Sequence, residues 1–217
     1  MDGNVRWAKK NKVSKEEGYK KGLTKINQIV DICIENKIKY LTLYALSTEN
    51  LERPSVNIIF DIFKGNYKNF VDNMTEKKKV KIQVIGKRNN LPKNIQKKIF
   101  NIERQTLNNK LLNLNIAFNY GFVNELIYLI NNIVNLSSNK NITVNEALIN
   151  KYLYLSDVPD PDILIRTGGF SRLSNFFLFQ LRYSELFFTK TLWPELSKKE
   201  ILQIFNQYLK IERKYGL

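Results

Sequence analysis

Short apolar runs and longer amphipathic stretches alternate along the chain, and each pattern predicts one kind of element. Four runs of apolar and β-branched residues predict strands, because they are short and have turn residues near their ends. The predicted strands are Tyr40–Leu46, Val80–Ile85, Leu112–Phe118 and Asp162–Arg166. Between them, apolar residues recur every three or four positions, as expected of helices that cover one face of a sheet.

Capping residues indicate where several of these helices begin. Three pairs have the spacing of a capping box, namely Ser14–Glu17, Thr143–Glu146 and Ser197–Glu200. A second helix is predicted after Pro54 and Ser55, and Pro92 suits the first position of a third helix. A further helix is predicted from the apolar spacing of Leu126, Ile127, Ile130 and Ile133.

The alternation of strands and helices predicts an α/β fold in which helices flank a mostly parallel central β-sheet. The chain has 217 residues without an internal repeat or a linker, so we expect a single domain over residues 1–217. In open parallel sheets, ligands bind beyond the carboxyl ends of the strands. The predicted strand ends are therefore the place to search for a site.

The net charge is +15, from 35 Lys and Arg against 20 Asp and Glu. This excess favours phosphorylated small molecules, anionic membrane surfaces or nucleic acids, although a coding bias towards Lys and Asn would also produce it. The lysines are dispersed, which counts against a nucleic-acid-binding protein. Since neither a membrane span of ~20 apolar residues nor a signal peptide is recognisable, we expect a cytoplasmic protein, at most peripherally membrane-associated.

Two absences narrow the chemistry. The sequence has no histidine, and Cys33 is its only cysteine, which excludes Ser-His-Asp and Cys-His sites and zinc bound by histidines or several cysteines. Cys33 lies on an apolar helix face and is predicted to be a core residue. Any chemistry must therefore use carboxylates, Arg, Lys, Ser, Asn, Tyr or a hard metal ion.

Three polar clusters are candidates for a binding site. They are Asp2–Trp7 (DGNVRW), Ser47–Pro54 (STENLERP) and Arg166–Ser174 (RTGGFSRLS). The second follows the strand Tyr40–Leu46, and the third begins where the strand Asp162–Arg166 ends. A parallel sheet would place both clusters at the same edge.

The residues of these clusters suit a diphosphate. Four arginines offer planar forks for phosphate oxygens, namely Arg6, Arg53, Arg166 and Arg172. Gly168 and Gly169 allow backbone N–H groups to approach an anion closely, and Ser174 adds a hydroxyl donor. Asp2 and Glu185 are candidates to hold Mg²⁺, which proteins bind through one or two carboxylates together with substrate phosphates.

Each cluster also has a simpler interpretation. Arg53 could pair with Glu49 or Glu52, the two glycines could form a turn only, and Glu185 could be a solvated charge. The combination of the three clusters favours the diphosphate site over these alternatives.

Longer motifs resemble the cis-prenyltransferase family, especially the bacterial undecaprenyl diphosphate synthases (isoprenyl transferases). The similar segments are Met1–Ala8 (MDGNVRWA), Gly18–Gly22 (GYKKG), Leu41–Pro54, Leu114–Gly121 (LNIAFNYG) and Pro159–Leu196. The DDxxD motif of the all-helical trans-prenyltransferases does not occur. The DGN-R-W region, which non-catalytic partner subunits of the family tend to lack, favours a catalytic polypeptide.

The resemblance implies an enzyme that condenses isopentenyl diphosphate onto an allylic diphosphate, such as farnesyl diphosphate. The product would be a long cis-polyprenyl diphosphate, in bacteria undecaprenyl diphosphate, the lipid carrier precursor for cell-wall glycan synthesis. The resemblance also implies a homodimer and peripheral membrane contact through the lipid product. A long apolar tunnel is expected for the hydrocarbon, with Ile58, Ile59, Ile62 and Phe63 as candidates, although ordinary core packing gives the same pattern.

The resemblance also assigns roles to residues. Asp2 would be the essential carboxylate, holding Mg²⁺ with Glu185, and Asn50 would assist proton removal. Gly3–Arg6 would form a loop around the allylic diphosphate, and Ser47–Arg53 would be a mobile loop. The substrate-binding residues would be Gly3, Asn4, Val5, Arg6, Trp7, Lys15, Tyr19, Ser47, Thr48, Glu49, Leu51, Arg53, Arg166, Arg172, Leu173 and Ser174.

The chain departs from the family pattern around these residues. Replacements of the usual family residues are Val5, Lys15, Tyr19, Leu51, Asn57, Phe122, Val123 and Phe170. Phe170 stands where the family carries an acidic residue. We expect retained but slow activity or a shifted product length, and a catalytically weakened or non-catalytic homologue is the alternative.

The family pattern also places a β-strand before the DGN motif, with which this sequence starts. Either translation begins upstream of Met1, or the sheet lacks that strand. The expectation is therefore a truncated first strand.

Overall fold

The computed structural model describes residues 1–137 and 141–212, apart from the side chain of Lys77, and in this part of the chain it contains seven α-helices and five strands. The helices are α1 (Asn4–Lys10), α2 (Lys15–Glu35), α3 (Val56–Asp72), α4 (Lys93–Thr106), α5 (Phe122–Ser137), α6 (Glu146–Tyr152) and α7 (Lys198–Tyr208). The strands are β1 (Tyr40–Ser47), β2 (Val80–Ile85), β3 (Leu112–Tyr120), β4 (Ile163–Arg166) and β5 (Glu185–Phe188).

All strand pairs are parallel, and they form two sheets. The first has the order β1-β3-β2, with Tyr40 opposite Asn113 and Val80 opposite Leu112. Parallel neighbours need crossover connections, and α3 and α4 provide them between successive strands. The second sheet pairs β4 with β5. The predicted α/β fold with parallel strands flanked by helices is confirmed, with the strands divided between two sheets.

The position of the first strand bears on the predicted truncation. In the described chain β1 is the first strand, and the residues before it form α1 and α2. A further strand ahead of the DGN motif would lie outside the sequence and stays a prediction.

The main core lies between the three-stranded sheet and the helices that cover it. Its buried members include Val30 of α2, Met74 after α3, Ile95 of α4 and Leu114 of β3. Cys33 of α2 belongs to this core, and burial raises the pKa of its thiol to about 12. The predicted role of Cys33 as a core residue is therefore confirmed.

The predicted helix starts can be compared with the observed caps. Ser14 and Glu17 form both hydrogen bonds of a capping box, and Ser197 accepts a hydrogen bond from the backbone N–H of Glu200. The predicted cap at Thr143 is wrong, because the side chain of Asn145 caps α6 by accepting from the N–H of Leu148. Pro92 precedes α4 by one position and serves as its N-cap.

Helix α5 does not bury the apolar stripe that its sequence shows. Glu125 and Leu129 are its buried residues, whereas Ile127 and Ile130 are about half exposed, at 51% and 48%. An apolar outer face of this kind is available to another surface. Among the described residues, no helix has the length and apolar character that a membrane crossing requires.

Candidate active site

A large cleft lies between β1 and β4 and has a volume of about 1470 Å³. It receives residues from all three polar clusters, whereas the parallel strand ends predicted this for the second and third clusters only. The predicted site residues that line it are Asp2, Gly3, Asn4, Val5, Arg6, Tyr19, Ser47, Glu49, Asn50, Arg53, Arg166, Arg172, Leu173 and Ser174.

Asp2 is held at the carboxyl end of β4. Its backbone N–H donates to Oγ1 of Thr167 at 3.0 Å, and the same hydroxyl donates to the Asp2 carbonyl at 3.1 Å. One carboxylate oxygen, Oδ2, accepts two hydrogen bonds from the guanidinium of Arg166, at 3.2 Å from Nε and 2.9 Å from Nη2. Residues far apart in sequence thus form one charged pair, in which the Arg166 side chain is 13% exposed.

Two more arginines converge on the same place. Arg6 donates to the carbonyl of Gly168 at 2.7 Å. The hydroxyl of Ser174 accepts from Arg166 at 2.9 Å and from Arg172 at 3.3 Å. Guanidinium forks and a hydroxyl in this arrangement suit the oxygens of a diphosphate.

Gly168 is required by this packing. Its φ is +86°, and a Cβ there would lie 2.4 Å from Nη2 of Arg6 and 2.9 Å from Cβ of Asp2. Only glycine combines that backbone conformation with the approach of both side chains. The glycine pair of the third cluster therefore brings Arg6 and Asp2 against β4 as well as making a turn.

The GYKKG motif has a packing role. A Cβ on Gly18 would lie 2.5 Å from the carbonyl oxygen of Asn4, and a Cβ on Gly22 would lie 2.2 Å from its Oδ1. The carbonyl of Gly22 also accepts a hydrogen bond of 2.8 Å from Nε1 of Trp193. The two glycines thus let α1, which carries Arg6, lie directly against α2.

The second polar cluster begins with a 3₁₀ turn, Thr48–Asn50, which side-chain contacts attach to the rest of the site. Asn124 donates to the Thr48 hydroxyl at 3.1 Å, and Asn175 donates to Oε1 of Glu49 at 2.9 Å. Partial burial alone would raise the pKa of Glu49, but the hydrogen bonds, that from Asn175 foremost, outweigh it and hold this pKa below its ordinary value. Glu49 therefore faces the cleft as a carboxylate.

Asn175 was missing from the predicted site, although it belongs to the Pro159–Leu196 motif. Besides its bond to Glu49, its Oδ1 accepts from the N–H of Val123 at 3.0 Å and its carbonyl from the N–H of Phe122 at 2.8 Å. It thus connects the third cluster to the second cluster and to the start of α5. The signal in the sequence was its position one residue after Ser174.

Tyr44 also lines the cleft without having been predicted. Its hydroxyl donates to the carbonyl of Tyr120 at 3.0 Å, and its ring stacks on Phe176 at a centroid distance of 4.5 Å. Burial raises its pKa well above the ordinary value, so its hydroxyl stays protonated. In the sequence it reads only as one residue of a buried strand.

Some predicted residues lie outside the cleft lining. Trp7, Lys15, Thr48 and Leu51 are in this group. Gly3–Arg6 was predicted as a loop, but the chain from Asn4 onwards is helix α1, with Gly3 as its N-cap at a φ of +117°.

The predicted metal pair of Asp2 and Glu185 is not brought together within the chain. Glu185 opens β5 opposite Ile163, at the amino end of β4, whereas Asp2 is bonded to Thr167 beyond its carboxyl end. Four residues of strand separate the two levels by about 13 Å. Within residues 1–137 and 141–212, no group of three His, Cys, Asp or Glu residues is placed to hold a metal ion.

An apolar cavity of about 130 Å³ adjoins the cleft between α2, α3 and the first sheet. Met1 and Asn4, on either side of Asp2, line both spaces, so the two spaces share a wall close to Asp2, which itself lines the cleft. Of the residues predicted for a hydrocarbon tunnel, Ile59, Ile62 and Phe63 line this cavity, and Ile58 does not. Tyr67 and Phe70 continue its wall.

Comparison with known proteins defines the class. The family model described as putative undecaprenyl diphosphate synthase matches residues 1–216. The isoprenyl transferase of Fusobacterium nucleatum subsp. nucleatum is 43% identical over all of this chain and 93% of its own length. The tritrans,polycis-undecaprenyl-diphosphate synthase (geranylgeranyl-diphosphate specific) of Pyrococcus furiosus is 39% identical, over all of this chain and 84% of its own.

The fold is also similar to that of a solved prenyl diphosphate synthase structure. Lavandulyl diphosphate synthase from Lavandula x intermedia, crystallised with dimethylallyl diphosphate, superposes with a TM-score of 0.95 at 28% identity, covering 100% of this chain and 95% of its own. The fold is therefore that of a cis-prenyltransferase. The chain belongs to the undecaprenyl diphosphate synthase family of isoprenyl transferases.

Proposed function

We propose that this protein condenses isopentenyl diphosphate onto an allylic diphosphate and makes a long cis-polyprenyl diphosphate of the undecaprenyl type. The observation that carries the proposal is the position of the Asp2–Arg166 pair, in a cationic cleft that shares wall residues with an apolar cavity. A prenyl diphosphate has the same division, because a charged head is attached to a hydrocarbon tail.

The cationic cleft suits the departure of diphosphate. Ionisation of an allylic diphosphate leaves an anion and an allylic cation. Arg6, Arg166 and Arg172 supply preorganised donors where the negative charge grows. The apolar cavity keeps water from the carbocation.

Proton removal after carbon–carbon bond formation needs an acceptor in the cleft. Asn50 lines the cleft and is the proposed assistant. A neutral amide is a weak base, so the carboxylate of Asp2 or a diphosphate oxygen is proposed to take part.

Mg²⁺ is the proposed cofactor, with Asp2 as its protein ligand. The donor set fits, because Mg²⁺ is commonly bound through one carboxylate and substrate phosphates, and the second oxygen of Asp2, Oδ1, is not engaged by Arg166. Once bound, the ion would neutralise charge on the leaving diphosphate. Glu185 is not proposed as a second ligand within the same chain, since it lies on β5 beside the amino end of β4, whereas Asp2 lies beyond the carboxyl end of β4.

The exposed apolar face of α5 supports a homodimer as the proposed assembly. Leu126, Ile127, Tyr128 and Ile130 are each between 39% and 51% exposed. A second copy would cover such a face by a symmetric contact. We further propose that the enzyme works in the cytoplasm and meets the membrane only through its lipid product.

Incubation of the full chain with Mg²⁺, farnesyl diphosphate and radiolabelled isopentenyl diphosphate tests the function. Labelled products should appear, and their length by thin-layer chromatography after dephosphorylation gives the chain length. The Asp2→Ala variant is the control for site-dependent incorporation. If the wild-type protein binds the diphosphates without incorporating label, the proposal fails and the alternative of a non-catalytic homologue stands.

A further inference from the structure

Phe170 lies at the centre of the arginine cluster. Its ring centroid is 4.3 Å from the guanidinium carbon of Arg172, 4.9 Å from that of Arg6 and 5.7 Å from that of Arg166. All three distances are within the ~6 Å over which a cation is attracted to an aromatic face. The ring itself lines the cleft and is 38% exposed.

Each of the three arginines has a polar anchor, but these anchors leave most of the positive charge uncompensated. Arg166 is paired with the carboxylate of Asp2, whereas Arg6 donates to a backbone carbonyl and Arg172 to a hydroxyl. Three guanidinium groups held this close repel one another. The π-face of Phe170 attracts the guanidinium groups and leaves their net charge unchanged. A carboxylate in place of the ring would reduce that net charge.

We propose that Phe170 is a positioning residue that gathers Arg6, Arg166 and Arg172 around one diphosphate-sized anion. The ring lowers the repulsion between the arginines while their full charge remains available to a ligand. This inference rests on the proposed function only in taking the anion to be the diphosphate group of a prenyl substrate. The arrangement itself predicts binding of inorganic diphosphate.

Titration calorimetry with inorganic diphosphate tests the inference without any need for turnover. Phe170→Leu, which keeps apolar bulk and removes the π-face, should bind inorganic diphosphate about tenfold more weakly than the wild type. Phe170→Tyr, which restores the ring, should return the affinity to within about twofold of the wild type.

Phe179→Leu is the matched control. Arg182 lies 4.5 Å from the Phe179 ring and is already paired with Glu146 and Asp160, so loss of that ring should leave diphosphate affinity unchanged. Circular dichroism melting of all variants separates loss of fold from loss of binding.

Kinetics add a readout that a purely structural role would not change. If the wild type is active, Phe170→Leu should raise KM for the allylic substrate, farnesyl diphosphate, far more than it lowers kcat. Equal diphosphate affinity in wild type and Phe170→Leu, with both folded, overturns the inference, as does failure of Phe170→Tyr to restore it. An inactive wild type that still shows the Phe170 effect on diphosphate binding would sink the proposed function and leave this inference standing.

Discussion

Asp2 and Arg166 form an ion pair in which one carboxylate oxygen accepts two guanidinium hydrogen bonds, at 3.2 and 2.9 Å. The pair joins the start of the chain to the end of β4 and lines the cleft, close to the wall that Met1 and Asn4 share with the apolar cavity. It therefore fixes the orientation of the carboxylate that the proposed chemistry needs.

Asp2→Asn keeps the size of the side chain and removes its charge. We expect kcat for prenyl transfer to fall by about a hundredfold or more, as when one charge-stabilising group of an active site is lost. Initial rates with labelled isopentenyl diphosphate measure this. Asp61→Asn is the control, because it breaks the exposed ion pair with Lys64 on α3 and should leave the rate within about twofold. Equal rates for Asp2→Asn and wild type would contradict the assigned role.

Gly168→Ala should abolish diphosphate binding. The added Cβ would lie 2.4 Å from Nη2 of Arg6 and 2.9 Å from Cβ of Asp2, at a φ of +86°. The left-handed conformation alone costs a non-glycine residue about 1–2 kcal/mol, and the clash moves both side chains. Calorimetry with inorganic diphosphate and thermal melting together measure the effect.

Gly65→Ala is the control for the glycine substitution, since nothing lies within 4 Å of a Cβ at that helical position. It should keep wild-type binding and melt at the same temperature or higher. Wild-type diphosphate affinity in Gly168→Ala would show that the close packing of Arg6 and Asp2 on β4 is not required.

Asn175→Ala should loosen the second polar cluster and raise the pKa of Glu49. The hydrogen bond from Asn175 is the largest of the effects that lower this pKa against the opposing effect of burial. Because the pKa is lowered, ionised Glu49 stabilises the folded state at pH values above the ordinary glutamate pKa. This stabilisation is lost as the pH falls through the lowered pKa. Carboxyl-carbon NMR titration of Glu49 in wild type and variant measures the shift.

Activity gives the second readout for Asn175. Glu49 belongs to the cluster that contains Asn50, so we expect Asn175→Ala to lower kcat several-fold. This corresponds to an increase of about 1 kcal/mol in the activation free energy, the typical contribution of one hydrogen bond. Glu52→Gln changes the charge of the exposed neighbouring residue and should leave both kcat and the Glu49 titration unaffected. An unchanged Glu49 pKa in Asn175→Ala would disprove the connection.

Local sequence patterns were enough to predict strands with buried side chains and helix starts with a capping motif. β2 was predicted with its observed bounds, and the capping box at Ser14 was found because its signal lies within four residues. The stripe on α5 was misleading, since Leu126, Ile127 and Ile130 are exposed. Glu125 of the same helix is buried instead, and its carboxylate accepts hydrogen bonds from the Tyr120 hydroxyl and the Tyr154 N–H. Periodicity identifies an apolar face but not what covers it.

In the candidate site, sequence motifs identified individual residues but not the contacts between them. Motifs identified Asp2, Arg166 and Arg172 because each lies in a long recognisable segment. The distance from Asp2 to Glu185 depends on the register of β4 against β5, which no local pattern fixes. The contact of Asn175 with Glu49 spans 126 positions and likewise follows from tertiary packing alone.

Phe63→Ala should lengthen the polyprenyl product. Phe63 lines the apolar cavity beside Ile59 and Ile62, and its ring lies 5.8 Å from that of Tyr67 and 6.2 Å from that of Phe118. A cavity of about 130 Å³ is smaller than the ~300–1,000 Å³ of typical ligand pockets, so a long hydrocarbon must displace its walls. Removal of the ring lowers that cost and shifts the labelled products to greater chain length, as sized by reverse-phase chromatography.

Ile58→Ala provides the matched control on the same helix. Ile58 neighbours Ile59 but does not line the cavity, so its truncation should leave the product distribution unchanged even if it lowers the melting temperature. Because the hydrocarbon would extend from the Asp2 end towards Tyr67, a variant with unaltered or shorter products would place the growing chain elsewhere. The remaining route would then be the main cleft between β1 and β4, which Tyr44 and Phe176 line.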